Sequence, residues 1–140
     1  MEYPSKKLDP KWVTGEIPID ESVVKWLESF GKYLAISNEN DPKSLTASQI
    51  RKFFGEVKKI QADFDRKKGA VVFLGPKLAY AVGRDYNVRN QRANSKIEEF
   101  YKEIKTGISA VGNDKSKFFN LVNIVEAIVA YHRLYGGKVQ

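Results

Sequence analysis

Glu98 and Glu99, with Glu103 one helical turn on, have a spacing that could gather carboxylates around a divalent cation, but Lys96, Lys102 and Lys105 surround them. Interleaved signs of this kind make ordinary ion pairs on a helix surface, so no metal site is expected. His132, the single histidine, falls one turn after Ile128 on the apolar arc of a helix, the place of a packed residue rather than a general base. Without cysteine there is neither a thiolate zinc centre nor a disulfide framework. The stretch GPKLAYAVGR has two glycines but not the spacing that cradles a nucleotide phosphate, so no cofactor is expected. No catalytic set emerges, and the chain reads as a non-enzyme.

The remaining chemistry is cationic. The 140 residues carry 24 Lys and Arg against 17 Asp and Glu, a net charge of +7. Between Arg51 and Lys105 stand 14 basic and 7 acidic residues, so the whole excess lies in this middle segment and the rest is neutral. Such confinement points to one electropositive face and an anionic partner. The plainer alternative is chance clustering on a solvated surface.

Elements must position these cations. Asp20 is an N-cap for a helix with Val23, Leu27, Phe30 and Leu34 on one face, ending near Ser37, and residues 37–45 read as a loop. Thr46 and Gln49 match the capping box of a long helix whose apolar positions are Ile50, Phe53, Phe54, Val57, Ile60 and Phe64. On its outer arc lie Arg51, Lys52, Lys58, Lys59 and Arg66, separated by Gly55 and Ala62, with Glu56, Asp63 and Asp65 at the margins. Segregated cations with small residues between them suit a phosphate backbone lying across the surface. The run AVVFL (70–74) is a helix or an extended buried linker, and a helix starting with Pro76 at its first position carries Leu78 and Tyr80 until Gly83 ends or bends it.

Residues 84–94, RDYNVRNQRAN, form a polar basic loop suited to single-stranded nucleic acid, or else a mobile Asn-rich connection. Tyr80 and Tyr86, near Lys77 and Arg84, are candidate stacking residues. Ser95 and Glu98 match a second capping box before Ile97, Phe100, Ile104, Ile108 and Val111. Asp114 or Ser116 caps a last helix with a wide apolar arc, closing at Gly136 and Gly137, which is expected at the centre of the bundle. The fold class is therefore all-α, a single-domain bundle of about five or six helices over residues 1–140, with 1–18 extended or mobile. The N-terminus has no apolar run of a secretory signal, and Phe118–Tyr131 is too short and polar to span a bilayer, so a cytoplasmic protein without a membrane is expected.

Three blocks, LTASQIRKFFGEVKKIQ (45–61), LGPKLAYAVGR (74–84) and VEAIVAYHRLYGG (125–137), together resemble the small helical subunit of the type III-A CRISPR interference complex, the Csm complex. They cover 41 of the 140 residues, and their order and spacing agree with that family. A departure is Leu134, where the family pattern carries another aromatic. The resemblance implies a non-catalytic helical subunit that stacks in several copies along guide RNA and target RNA, in antiviral defence, beside backbone and large subunits that do the chemistry. It carries RNA contact onto Arg51, Lys52, Lys58, Lys59, Lys77 and Arg84; Arg89 and Arg92 join by charge alone. The competing classes are a helical nucleic-acid-binding regulator, which needs a helix-turn-helix with a short turn, and a protein-only helical adaptor without salt-dependent RNA binding.

Overall fold

The computed structural model describes residues 3, 4, 6–38 and 42–136, so that 39–41 of the expected loop and Gly137 of the last turn lie outside the described residues. In chain order, Asp9 caps α1 (Pro10–Thr14). The Asp20 carboxylate accepts from the Ser22 and Val23 amides to start α2 (Glu21–Ala35). At α3 (Ala47–Ala62) the capping box closes in both directions: the Thr46 hydroxyl accepts from the Gln49 amide at 3.1 Å, and Gln49 Oε1 accepts from the Thr46 amide at 2.9 Å. α4 (Phe64–Lys67) and a 3-10 stretch (Lys68–Phe73) lead into α5 (Leu74–Arg84), followed by a hairpin of β1 (Tyr86–Asn87) and β2 (Arg92–Ala93). α6 (Ile97–Val111) and α7 (Lys115–Leu134, capped by Asp114) complete the bundle.

The architecture is all-α, a single helical domain, with five helices of eleven residues or more among the described residues. α7 is its centre. Phe118, Leu121, Val122, Ile124, Val125 and Ile128 are all fully buried, and the helix packs against α1, α2, α3 and α6. Gly31 lets α2 approach it closely, because a Cβ there would stand 2.8 Å from Tyr131 Cβ and 3.0 Å from both the His132 nitrogen and the Ile128 oxygen. His132 is buried and its Nε2 lies 2.6 Å from the Leu45 carbonyl, while the Leu45 amide donates to Leu34 O, so one loop residue is pinned between α2 and α7.

Several local expectations change. Residues 10–14, in the segment read as extended or mobile, form α1, because Leu8, Trp12 and Val13 find burial against the bundle, with Trp12 edge-on to Trp26 at 5.4 Å. The long basic helix stops at Ala62: Asp63 leaves the helical region (φ −147°, ψ 56°), which lets Phe64 turn inward onto Phe118, ring centroids 5.4 Å apart. Arg66 thereby leaves the arc of Arg51 to Lys59. The AVVFL run forms most of the 3-10 stretch, with Val71 and Leu74 buried and Val72 and Phe73 exposed. α5 begins two residues earlier than expected, putting Pro76 at its third position, where the proline nitrogen still forgoes no intrahelical bond, and it runs through Gly83 to Arg84.

The largest differences surround the start of α6. The expected capping box does not close: the Ser95 hydroxyl accepts from the Ile97 amide at 3.3 Å, the Ser95 amide donates to Asp85 Oδ2, and Glu98 Oε1 accepts from the Ala93 amide. Lys96, Glu99 and Glu103, taken for a solvated face, are buried. The Lys96 ammonium donates to the carbonyls of Tyr33 (2.8 Å) and Ile36 (2.6 Å) at the end of α2 and lies 3.8 Å from the Tyr33 ring centroid. It satisfies carbonyls that the helix end leaves without partners. Glu103 accepts from the Leu8 amide at 2.9 Å and from the Tyr3 hydroxyl, with Lys7 at 3.5 Å, and burial together with that carboxylate pushes the Tyr3 phenol far upward.

Two substitutions of one kind are expected to act in opposite directions. Gly31→Ala forces apart α2 and α7 and lowers unfolding free energy by about 1–3 kcal/mol, whereas Gly55→Ala, with open space around its Cβ, raises it by about 0.5–1 kcal/mol, both read by urea denaturation. Burial holds the His132 imidazole below its ordinary pKa of 6.5. The folded state then binds fewer protons than the unfolded chain, so stability is full above pH 6.5 and falls as pH drops below it. Melting temperatures between pH 8 and 5 check this, and His132→Gln flattens that part of the profile.

Candidate nucleic-acid interface

The two cation-bearing blocks become neighbours. α3 and α5 run antiparallel: Lys77, early in α5, donates to Glu56, late in α3, at 3.2 Å. At the other end, Gln49 Nε2 donates to Ser95 Oγ at 3.2 Å while the Ser95 amide donates to Asp85 at 2.8 Å, tying the end of α5 to the start of α3. Between them lies a groove of about 490 Å³. Lys52, Phe53 and Glu56 line it from α3, and Pro76, Lys77, Leu78, Tyr80, Ala81 and Arg84 from α5.

Helical geometry sorts the candidate contacts. At about 100° per residue, Lys52 and Lys59 lie within about 20° of each other on α3, and Arg51 and Lys58 form a second pair about 100° further round. The first pair stands beside the groove, where Lys59 approaches Glu56 at 3.9 Å. Arg51 and Lys58 are exposed on the far flank, and Lys58 lies 5.8 Å from the Phe54 ring centroid. On α5, Lys77 and Arg84 share the groove-facing side with Tyr80, and the Arg84 guanidinium sits 5.6 Å from the Tyr80 ring centroid. Lys77, then Lys59 and Lys52, hold the Glu56 carboxyl below the usual carboxylate range, so this single acid in the α3 wall stays ionised and offsets part of the positive charge.

The two hairpin arginines separate. Arg89 sits at the exposed tip, where its amide donates to Asn87 Oδ1 in an Asx turn. Arg92 turns inward, part-buried against α6. Nη1 and Nη2 bind Glu99 at 2.7 and 2.8 Å, Nη2 also reaches Ser95 O, and Nε donates to Ala93 O. Burial alone would raise the Glu99 pKa, but the Arg92 hydrogen bonds and charge overcome it and hold this carboxyl low. The donor fork of Arg92 is thus spent inside the protein. Sequence reasoning placed Arg66 on the arc of the long helix and left Lys67 and Lys68 out of the candidate set; the structure leaves all three exposed, a few residues before the exposed Val72 and Phe73.

Among the described residues no three His, Asp or Glu side chains gather in a way that could hold a metal ion, and no helix is long and apolar enough to cross a membrane. Comparison with known proteins agrees with the placement of the blocks. The family model described as Csm2 Type III-A matches residues 21–138. The chain belongs to the type III-A Csm2 family. It is thereby a small subunit of the type III-A Csm complex and works with other CRISPR effector subunits. The "CRISPR system Cms protein Csm2" of Streptococcus thermophilus is 31% identical over 99 residues, 67% of this chain and 75% of that relative. No solved structure matches the chain significantly. Of the three blocks that resemble the family, the first two are the walls of the groove and the third is the end of the central helix α7. Leu134 is exposed, so its departure from the family pattern opens no gap in the core.

The arginines give a direct contrast. Arg92→Ala leaves the buried Glu99 carboxylate unpaired and is expected to cost about 3 kcal/mol of stability, while Arg89→Ala changes it by less than about 0.5 kcal/mol, both measured by chemical denaturation.

Proposed function

We propose that this Csm2 chain is a non-catalytic RNA-binding subunit that grips the backbone of guide RNA and target RNA through the α3/α5 groove and its flanks. Copies would stack along the RNA in the cytoplasm. The observation that carries the reading is the convergence of Lys52, Lys77 and Arg84, from two separate blocks of the sequence, on one concave surface, with Lys59 beside it at 3.9 Å from Glu56. Arg51 and Lys58 extend the positive face around α3, and Arg89 extends it from the hairpin tip.

Backbone contact without base readout follows from this chemistry. Lysine and arginine heads address phosphates, and sequence choice is left to pairing between guide and target. The chain's own candidates for chemistry are occupied elsewhere: His132 lies against Leu45 O, Glu99 holds Arg92 and Glu103 holds the N-terminal segment. Cleavage then falls to other subunits of the complex.

Titration of an arbitrary single-stranded RNA at several salt concentrations tests the proposal. Affinity falls steeply with salt, each neutralised phosphate adding about 0.7 to the slope of log K against log salt. The double variant Lys52→Glu with Lys59→Glu loses affinity and salt slope while keeping its helical circular dichroism and melting temperature. Parental binding by that variant removes the groove from the reading, and no binding at low salt by the parent favours a protein-only adaptor.

A further inference from the structure

The groove holds more than phosphates require. Its floor is apolar, with Phe53 and Leu78 almost fully buried beside Pro76 and Ala81, and phosphate gains nothing from such a surface. Over it stands Tyr80, 68% exposed, a large aromatic left in water. Its ring is held from one side by Arg84, one turn along α5, at 5.6 Å from the centroid. An apolar concavity, an exposed ring beside it and cations at the rim match one ligand chemistry, a flat aromatic group joined to an anion. The volume of about 490 Å³ lies in the range of small-molecule sites.

We propose that the α3/α5 groove holds one unpaired nucleotide of the bound RNA strand, its base stacked on Tyr80 over the Phe53 and Leu78 floor and its phosphate on Lys52 and Arg84. The assignment rests on the RNA-binding reading above and adds a base pocket to it. Apart from the Tyr80 hydroxyl and the rim cations Lys52 and Arg84, the polar groups of the groove are already engaged: Gln49 with the Thr46 cap and Ser95, Glu56 with Lys77, and Asp85 with Ser95. The pocket therefore takes a base by its face and reads none by its edge, as a sequence-independent subunit requires.

Two end-labelled uridine RNAs of equal length distinguish the pocket from backbone binding, one intact and one with abasic interior positions, titrated by fluorescence anisotropy at one salt concentration. Uridine strands self-stack little, so removing the bases leaves the backbone comparable. The intact strand is expected to bind about five- to tenfold tighter, in the lower part of the range for base stacking on an aromatic side chain. Tyr80→Ala brings the intact strand down to the affinity of the abasic one, and Tyr80→Phe, which keeps the ring, restores the difference; circular dichroism melts show that both variants are folded. Equal binding of the two strands by the parent overturns the pocket and leaves backbone binding standing. Binding of neither strand overturns both. Free uridine monophosphate, titrated alone, distinguishes the source of the nucleotide: weaker binding than the intact strand supports the assignment, and tighter binding makes the groove a free-nucleotide site and overturns it.

Discussion

Three charged side chains on one buried face of α6 hold the periphery of this protein together. Lys96, Glu99 and Glu103, spaced by three and four residues, face inward, and each reaches a different piece of chain. Lys96 closes the end of α2, Glu99 anchors the hairpin through Arg92, and Glu103 takes up the N-terminal segment through Leu8, Tyr3 and Lys7. A buried charge is costly alone and tolerable only when hydrogen-bonded and paired, so these residues specify which segments must dock there.

The geometry of the groove follows from that arrangement. Phe53, Val57 and Ile60 fasten α3 to the core, and Leu74 and Leu78 fasten α5, which sets the distance between the walls. Their relative register is set by polar links: Lys77 to Glu56 at one end, and Asp85 through Ser95 to Gln49 at the other. Ser95 can serve as that node because the start of α6 is fixed on both sides. Lys96 is locked into α2, and the Lys43 backbone pairs on either side of Ser95, with Asn94 O and the Lys96 amide. The concave face is thus braced from behind by Ser95 and Lys96, both buried.

Family membership gains a physical content from this picture. The first two of the three blocks that resemble the family, both within the matched residues 21–138, are separate in sequence and adjacent in space, each supplying one wall and its cations. The third runs along the central helix, where Tyr131, His132 and Ile128 meet Gly31 of α2. The residues of these blocks therefore divide into those that build the concave face and those that keep the bundle closely packed behind it.

The amino-acid sequence by itself determined the helical class, the caps at Asp20 and Thr46, the apolar faces of α2, α3, α6 and α7, and the confinement of positive charge to the middle of the chain. Those features are local, since a cap or a helical face needs only residues within a few positions of one another. Tertiary structure alone decided the rest. Arg89 and Arg92 lie three residues apart in the same polar stretch, and what separates them is Glu99, brought near by the hairpin. Lys96, Glu99 and Glu103 have the spacing of a solvated face, and only the end of α2, the hairpin and the N-terminal segment packed over them make it a buried one. The break at Asp63 and the inward turn of Phe64 likewise depend on Phe118 being there to receive the ring. A charge's role is set by whether its partner or water reaches it first, and that partner stands at a distance along the chain that no local pattern records.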